Sequence, residues 1–321
     1  MRVIDEATLR ARVGPAEALA AVERAFGAAA GAALTQPPPT GLEIPARRGE
    51  VHIKAAHLHG AATFTVKVAT GFYANQAERL PTGSGVMLVC DAVTGFPLAL
   101  LEDNGYLTDL RTAGAGALAA RLLAPGNIAR LCVLGTGVQA RFQTRAISRV
   151  RRVASLRAWS PHADHCGAFC VEMTRELGIP STPAASASEA VAEADLIVTT
   201  TPSRAPLFAA GLVRANATVI AVGADGPDKR ELPVELFARA GKVVVDDLVQ
   251  CLTLGELHHA VAAGVIAATG VHATLGQVLT GARAGREGEE LIVCDLTGLG
   301  AQDAAIAEAA WDAVGEGWGA L

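Results

Sequence analysis

The most informative part of this sequence is Leu-Cys-Val-Leu-Gly-Thr-Gly-Val-Gln-Ala, residues 131–140. A short apolar run typical of a buried strand ends at Gly135, and a helix-like segment starts near Gln139. Gly135, Gly137 and Ala140 have the GxGxxA spacing of a dinucleotide fingerprint. The first glycine permits a tight turn, the second lets the backbone approach a pyrophosphate, and the alanine lets the helix pack closely. The stretch therefore predicts nucleotide binding, with an incidental glycine turn as the alternative.

After this turn, apolar strand-like runs alternate with helical segments. The predicted strands cover 155–159, 196–200, 218–222, 242–246 and 291–295, and the predicted helices cover 165–177, 188–194, 233–240 and 255–263. Such alternation implies a parallel sheet with right-handed crossovers. His258 and His259 fall in the last of these helices and are expected to face solvent.

The chain before the fingerprint follows a different pattern. An Ala-rich helical segment at 16–33 precedes β-like runs at 51–54, 63–69, 86–90 and 97–101, and the last two are joined by a hairpin turn. A helix over Arg111–Leu123, capped by Thr108 or Asp109, leads onward, and an Ala-rich helix follows at 301–314. We therefore predict an α/β protein: an α+β domain of residues 1–118 with 301–321, and a Rossmann-type domain of residues 119–300.

Composition excludes several functional classes. The 321 residues carry a formal net charge of -5 with scattered Lys and Arg, which argues against a nucleic-acid partner. No apolar run is long enough to cross a bilayer, and the first residues lack a signal-peptide layout, so a soluble cytoplasmic protein without a membrane partner is expected. No disulfide framework is expected from the six cysteines. His162, Cys166 and Cys170 would share one helical stripe, but structural zinc sites draw ligands from two segments, so no metal site is predicted.

Three motifs together resemble one known family. They are LTDLRTAGAGA at 107–117, VLGTGVQA at 133–140 and VGADGPDKREL at 222–232. In this order, and over nearly the whole chain, they resemble the ornithine cyclodeaminase/mu-crystallin family. The variant DNGYLTD at 103–109 is most similar to the branch that includes the ectoine-utilisation proteins. The resemblance implies a homodimer built through the first domain, which also binds substrate. It further implies a nicotinamide nucleotide over the Cα–N bond of a small amino or imino acid.

The resemblance also implies roles for four residues. Arg111 would bind the substrate carboxylate, Lys67 would lie near the carboxylate and amine in a catalytic and binding role, Asp225 would move a proton, and Thr82 would line the pocket. By composition alone, Arg111 is a surface arginine, Lys67 points outward from a half-exposed strand, and Asp225 is a turn residue. Further candidates for the pocket are Lys54, Arg47 and Arg48. Lys229 and Glu231 either orient Asp225 or form a surface pair.

The expected cofactor is NAD or NADP. The residues expected to bind it are Thr112, Gly135, Thr136, Gly137, Val138, Gln139, Ser160, His162, Thr200, Thr201, Val222 and Gly223. The second Rossmann strand lacks the acidic residue that accepts the ribose 2′-hydroxyl of NAD, whereas Ser160 and His162, with Arg157, suit a 2′-phosphate. The sequence therefore favours NADP slightly, with NAD as the alternative.

Several activities remain open at this level. The resemblance implies a cyclodeaminase, an amino-acid dehydrogenase or a cyclic-imine reductase that works by hydride transfer. The alternatives are a hydroxyproline-type dehydratase and a non-catalytic nucleotide- or small-molecule-binding protein like mu-crystallin. The joint presence of Lys67, Arg111 and Asp225 favours an enzyme.

Overall fold

A computed structural model describes residues 1–314, and their packing divides the chain into two units. Unit 1 comprises Met1–Arg111 together with the chain from Leu299 onward, and unit 2 comprises Thr112–Gly298. The boundaries drawn from the sequence, after residues 118 and 300, lie somewhat later. Within residues 1–314, no helix combines the length and apolarity needed to cross a membrane.

The elements are numbered along the chain. The strands are β1 (Arg2–Asp5), β2 (Leu34–Thr35), β3 (Thr40–Ile44), β4 (Gly49–Leu58), β5 (Thr63–Phe72), β6 (Gly83–Asp91), β7 (Pro97–Glu102), β8 (Asn127–Ile128), β9 (Leu131–Leu134), β10 (Arg152–Val153), β11 (Leu156–Trp159), β12 (Ser181–Pro183), β13 (Leu196–Thr199), β14 (Thr218–Ala221), β15 (Lys242–Val245), β16 (Ala273–Thr274) and β17 (Ile292–Asp295). The helices are α1 (Glu6–Arg12), α2 (Pro15–Ala30), α3 (Tyr106–Leu123), α4 (Val138–Val150), α5 (Ala163–Leu177), α6 (Ala187–Val191), α7 (Glu235–Arg239), α8 (Leu248–Cys251), α9 (Leu257–Ala262), α10 (Leu275–Leu279) and α11 (Gly300–Ala313).

Unit 1 is built on a seven-stranded sheet in the order β1-β7-β6-β5-β4-β2, with β3 also paired to β4. The β1–β7 pair is parallel and the other pairs are antiparallel. Side chains alternate across this sheet, because successive residues of a strand point to opposite faces. One face carries fully buried residues such as Met87 and Leu101 and is covered by α11, whose Gly300 lies so close that a Cβ would be 2.8 Å from Ala55 O. The predicted α+β architecture is confirmed.

Unit 2 contains an eight-stranded parallel sheet in the order β12-β11-β9-β13-β14-β17-β15-β16. Its central strands are buried on both faces, as expected where helices cover a parallel sheet. The first strand, β9, lies between β11 and β13, so the chain leaves it in opposite directions on its two sides. This is the topological switch point, where open α/β sheets bind ligands beyond the carboxyl ends of their strands. The predicted Rossmann-type domain is confirmed.

The predicted cap of α3 is wrong. The helix begins at Tyr106, so Thr108 and Asp109 lie inside its first turn rather than before it. The capping role belongs to Asp103, whose carboxylate accepts a hydrogen bond of 2.8 Å from the Leu107 N–H. The helix was predicted from 111 because the apolar periodicity starts there. The signal for its true start is Asp103-Asn104-Gly105, in which Asn104 and Gly105 both have positive φ.

Candidate active site

A buried ion cluster lies in unit 1 between the sheet and α11. Asp303 receives Lys67 Nζ at 2.8 Å on one carboxylate oxygen and Arg111 Nε at 2.9 Å on the other. Arg111 also donates to Gln302 Oε1 at 2.9 Å. Lys67, Arg111 and Asp303 are 2%, 5% and 1% exposed, so the surface readings of Lys67 and Arg111 are wrong. Strand β5, helix α3 and helix α11 thus bring together the two cations that the sequence singled out.

Two further titratable side chains are buried near this cluster. Lys54 lies directly opposite Lys67 in the β4–β5 register and is 7% exposed. Two ammonium groups at facing sheet positions repel each other, so the pair requires anions nearby. Asp303 and Asp103, both 1% exposed, are two such anions. The Arg111 guanidinium and the Lys67 ammonium are the groups of this cluster able to bind a further carboxylate.

Burial and charge shift the acidity of this cluster in opposite directions. Burial lowers the pKa of Lys67 to about 7, although Asp303 opposes that shift. Burial alone would raise the pKa of Asp303, but Arg111, Lys67 and Lys54 hold it below its usual value. Burial raises the pKa of Asp103 to about 6. Lys67 can therefore gain or lose a proton near neutral pH, and a second anion beside it would favour the charged form.

The sequence reasoning missed Asp303 and Gln302 as members of this cluster. Both lie in the first turn of α11, an Ala-rich helix in which nearly every side chain is buried. The sequence signal that could have identified them is two polar residues at positions of an otherwise Ala-rich helix. Gln302 Oε1 additionally accepts the Leu299 N–H at 2.9 Å, so one side chain caps α11 and contacts Arg111.

The remaining unit 1 candidates lie outside this buried cluster. Thr82 is half-buried just before β6, and its carbonyl accepts the Phe72 N–H at 2.7 Å. Arg47 is exposed and pairs with Glu78 at 2.9 Å, whereas Arg48 is an exposed residue with a φ of 48°. Neither arginine is buried with Lys67, and Thr82 as a pocket residue stays a prediction.

The fingerprint of unit 2 adopts the geometry that its glycines predict. Gly135 has a φ of 97°, and a Cβ on it would lie 2.7 Å from Thr200 Oγ1. A Cβ on Gly137 would meet no atom within 4 Å, so the space beside the start of α4 is open. Ala140, in the first turn of α4, is fully buried. A pyrophosphate fits this open side, where backbone N–H groups and the helix dipole favour negative charge.

The other predicted nucleotide residues are distributed around the same sheet edge. Thr200 and Thr201 follow β13, and Val222 and Gly223 follow β14. Thr200 donates through its N–H at 2.9 Å and through its hydroxyl at 3.1 Å to Leu134 O, which holds the β13 loop against the end of β9. Thr136 is buried, while Val138 is 55% exposed at the first turn of α4.

Thr112 lies where α3 packs against α4. Its carbonyl accepts a hydrogen bond of 2.9 Å from Gln143 Nε2. The same Gln143 Nε2 lies 3.5 Å from Gln139 Oε1, one helical turn away. Gly116 makes this packing possible, because a Cβ there would lie 1.8 Å from Gln143 Oε1. Gln143 therefore ties the fingerprint helix to α3, which the sequence reasoning did not identify.

The end of β11 presents no carboxylate at the position expected for NAD. Ser160 is half-buried and accepts the His162 N–H at 3.3 Å, and His162 is exposed at the start of α5. Arg157 lies 3.5 Å from Glu189, so its charge is already partly balanced. These side chains leave a 2′-phosphate chemically acceptable, but Arg157 is a weaker candidate than its sequence position suggested.

Asp225 lies in the loop after β14, and its side chain is 38% exposed. Lys229 Nζ donates to Asp225 Oδ1 at 2.7 Å and is itself 9% exposed. The loop carbonyls of Pro227 and Lys229 accept from His258 Nε2 at 3.0 Å and His259 Nε2 at 2.9 Å. The expectation that both histidines face solvent is therefore wrong, because α9 packs against this loop.

Glu231 is fully buried, which excludes the surface-pair reading for this residue. Its Oε1 accepts the Thr201 N–H at 2.6 Å, and its Oε2 accepts the Gly223 N–H at 2.9 Å and the Thr199 hydroxyl at 2.7 Å. Burial raises the pKa of Glu231 to about 7, against these hydrogen bonds. Of the three acids of the loop, Asp228 is exposed, Asp225 is partly exposed and Glu231 is buried.

The sequence matches a model of one protein family over nearly its whole length. The model described as the ornithine cyclodeaminase/mu-crystallin family matches residues 5–317. The chain is 39% identical over 297 residues to an alanine dehydrogenase of Archaeoglobus fulgidus, covering 92% of this chain and 89% of that protein.

Solved structures agree with this match. A Delta(1)-pyrroline-2-carboxylate reductase of Thermococcus litoralis, in complex with NADH and L-proline, superposes with a TM-score of 0.92 at 29% identity, covering 98% of this chain and 97% of that one. An archaeal alanine dehydrogenase dimer with bound NAD gives a TM-score of 0.90 at 36% identity, covering 98% and 95%. With the Gly135 turn at the switch point, the buried Lys67 and Arg111 and the Asp225 loop in place, the chain belongs to the ornithine cyclodeaminase/mu-crystallin family.

Proposed function

We propose that this protein is a nicotinamide-nucleotide-dependent oxidoreductase that acts at the Cα–N bond of a small amino or imino acid. The observation that carries the proposal is the buried pair of Lys67 and Arg111, which lie 2.8 and 2.9 Å from the two oxygens of Asp303. Placing cations out of water is costly unless anions compensate them. A substrate carboxylate beside Asp303 would share these two cations.

Lys67 and Arg111 bind this carboxylate in the proposed reaction. The Arg111 guanidinium offers several N–H donors in a planar fork, and Asp303 and Gln302 orient it from one side. Lys67 contributes a point charge whose protonation rises when the carboxylate arrives. Thr82 is the proposed pocket residue of the same unit.

The nucleotide lies along the C-terminal edge of the unit 2 sheet, with its pyrophosphate at Gly135 and Gly137. When bound, the nicotinamide accepts or donates a hydride at the substrate Cα. Asp225 holds or moves the proton of the substrate nitrogen or of a water, because its carboxylate is partly exposed and a carboxylate can accept a proton. Dehydrogenation and imine reduction are the two directions of this one step.

Cofactor choice depends on the residues after β11. The absence of an acidic side chain at Ser160–His162 supports acceptance of NADP as well as NAD. The slight preference for NADP stays a prediction, since the compared enzymes hold NAD or NADH. Titration of protein fluorescence with both reduced nucleotides measures it directly, and an affinity for NADPH at least equal to that for NADH is expected.

The activity test follows the absorbance of the reduced nicotinamide. Purified protein is offered NAD and NADP with alanine, proline, ornithine and lysine, and NADH and NADPH with cyclic imino acids and with 2-oxo acids plus ammonia. Oxidation or reduction of the nucleotide with one of these substrates supports the proposal. Ammonia release without net absorbance change would instead indicate cyclodeamination, a lyase reaction. Tight nucleotide binding with no turnover of any substrate would favour a binding protein, and product without nucleotide change from hydroxyproline would favour a dehydratase.

We also propose a homodimer through the second face of the unit 1 sheet. The register aligns Val3, Leu100, Leu88, Val66 and Ala55 in one apolar row across five strands. These side chains are partly or largely exposed, with Val3 58% exposed. An apolar row of this length suits a symmetric, self-complementary interface. The alanine dehydrogenase of matching fold is a dimer.

Sedimentation tests the dimer with matched variants. Leu88→Arg places a charge in the centre of the row and is expected to yield monomers. Val93→Arg changes the tip of the neighbouring hairpin, where Val93 is 91% exposed, and should leave the dimer intact. A Leu88→Arg protein that sediments as a dimer would contradict this interface.

The cytoplasm is the proposed compartment. The six cysteines are all buried and unpaired, which fits a reducing environment that also contains nicotinamide nucleotides. Cell fractionation of the native host measures the location, and recovery in an oxidising compartment would contradict it.

A further inference from the structure

A series of buried carboxylates connects the strand ends of unit 2. Asp295, at the end of β17, accepts the N–H groups of Glu256 and Leu257, both at 2.8 Å. Glu256 in turn accepts the N–H of Glu231 at 2.6 Å and that of Leu232 at 3.0 Å. Each carboxylate therefore holds the backbone from which the next one extends, and the series ends at the side chain of Glu231.

Glu231 joins the two loops that the sequence associates with nucleotide and proton transfer. Its carboxylate accepts from Thr199 and Thr201 on the β13 side and from Gly223 on the β14 side. Gly223 permits the contact, because a Cβ there would lie 2.3 Å from Thr201 O and 2.7 Å from Glu231 Oε2. A carboxylate accepts at both oxygens without donating, so it matches two fixed backbone donors.

The same contact closes the loop that carries Asp225. The segment 223–231 begins at the Gly223 N–H and ends at Glu231, and the Glu231 carboxylate joins these two ends at 2.9 Å. Within the segment, Lys229 contacts Asp225 at 2.7 Å. Loss of the closure would free the Gly223 end of the loop, while Glu256 still holds the Glu231 backbone and the strands stay paired.

We propose that Glu231 is a positioning residue that holds the Asp225 loop and the Thr199–Thr201 loop in one fixed arrangement. This inference rests on the proposed function for the role of Asp225, but the geometry of the closure stands independently of it. Glu231 is completely buried, so it acts through the groups it contacts rather than on substrate.

Glu231→Gln is a sharp test because an amide cannot satisfy this site. Whichever way the amide is turned, its NH2 group faces the N–H of either Thr201 or Gly223, and two donors oppose each other. Asp295→Asn is the matched control. Both N–H groups reach Asp295 Oδ2, and Oδ1 has no hydrogen-bond partner within residues 1–314, so an asparagine keeps both bonds.

Hydrogen exchange of the free protein reports the closure without any substrate. In Glu231→Gln, the amides of Thr201 and Gly223 are expected to exchange about 10-fold faster or more, while amides inside β13 and β14 keep their rates. In Asp295→Asn, both amides should retain the parent rates. Unchanged exchange in Glu231→Gln, or equal acceleration throughout the sheet, would overturn the proposal.

Kinetics then separates positioning from general stability. With the substrate found by absorbance, kcat of Glu231→Gln should fall about 10- to 100-fold, since a displaced catalytic group costs about this much. KM should change much less, and Glu231→Gln added to Asp225→Asn should cost nothing further. If the two decreases in kcat multiply in the double variant, Glu231 does not act through Asp225. If no substrate is turned over, the proposed function fails while the exchange result still decides the closure.

Thr199→Val keeps the test available if Glu231→Gln does not fold. The change is isosteric and removes only the hydroxyl that donates to Glu231 at 2.7 Å. Exchange at Gly223 is expected to rise about 3-fold, the effect of losing one hydrogen bond to a carboxylate that keeps its others. An unchanged rate at Gly223 would count against the closure.

Discussion

Asp303→Asn should destabilise the protein because it removes the anion between two buried cations. Lys67 and Arg111 lie 2.8 and 2.9 Å from Asp303, and all three residues are at most 5% exposed. Solvent therefore screens little of the uncompensated charge. Breaking a buried ion pair on one side costs about 3–5 kcal/mol. Lys67 can relieve part of that cost by releasing its proton, but Arg111 cannot, so we expect about 3 kcal/mol.

Calorimetry measures this loss as a change in melting temperature. A loss of about 3 kcal/mol corresponds to a decrease of about 4–5 °C for 321 residues, at an unfolding entropy of about 2.1 cal/mol/K per residue. Glu308→Gln is the matched control on the same helix. Glu308 pairs with Arg24 at 2.8 Å, but the Arg24 side chain is 50% exposed, so this change should cost at most about 1 kcal/mol. Equal decreases for the two variants would show that burial of the Asp303 pair adds nothing to its contribution to stability.

The pH dependence gives a second, independent check on the same variant. The folded pKa of Lys67 is about 7, below its unfolded value, so in the parent protein this group adds stability as pH rises above about 7. Without Asp303, the pKa of Lys67 in the folded protein falls further, because the carboxylate no longer favours the charged ammonium. The rise in stability therefore begins at lower pH. The difference in the free energy of unfolding between the parent protein and Asp303→Asn should therefore be larger at about pH 6 than at about pH 8. A difference that grows with pH would contradict the assigned sign.

Three further changes test other parts of the structure. Lys67→Met should remove the rise in stability between about pH 7 and 10, up to about 1.4 kcal/mol per pH unit for one proton, as measured by urea unfolding across that range. Gly137→Ala should leave the melting temperature unchanged, since a Cβ there meets no atom within 4 Å, yet weaken nucleotide binding about 10-fold or more in a fluorescence titration. Gly135→Ala should instead lower the melting temperature, because its φ is 97° and a Cβ would lie 2.7 Å from Thr200 Oγ1.

The sequence predicted the parts of this structure that depend on local pattern. The strand–turn–helix at Gly135 follows from an apolar run, two glycines and an alanine, and the parallel sheet follows from the alternation of strands and helices. The motif around Arg111 identified a cation that is indeed buried, although its helix begins five residues earlier, at Tyr106. Its start was misplaced because the chain uses Asp103, three residues before the helix, as the capping side chain.

Long-range partners could not be predicted in the same way. Asp303 is far from Lys67 in the chain, and they meet only because α11 packs on the buried face of β5. Nothing in the local pattern of an Ala-rich helix shows which strand lies beneath it. The cost of burying Lys67 required some partner, but its identity depends on tertiary packing.

The segment 223–231 shows the same limit on a smaller scale. Asp225 and Glu231 are two of the three acids of one polar loop, with Asp228 between them, and composition alone does not distinguish their roles. The structure separates them by exposure: Asp225 is 38% exposed beside Lys229, whereas Glu231 is buried among backbone N–H groups and its pKa rises to about 7. An exposed carboxylate can reach a substrate nitrogen, whereas the buried carboxylate of Glu231 already accepts from the Thr201 and Gly223 N–H groups. We therefore propose that Asp225, which has access to water, moves the proton, and that Glu231 sets the geometry of its loop.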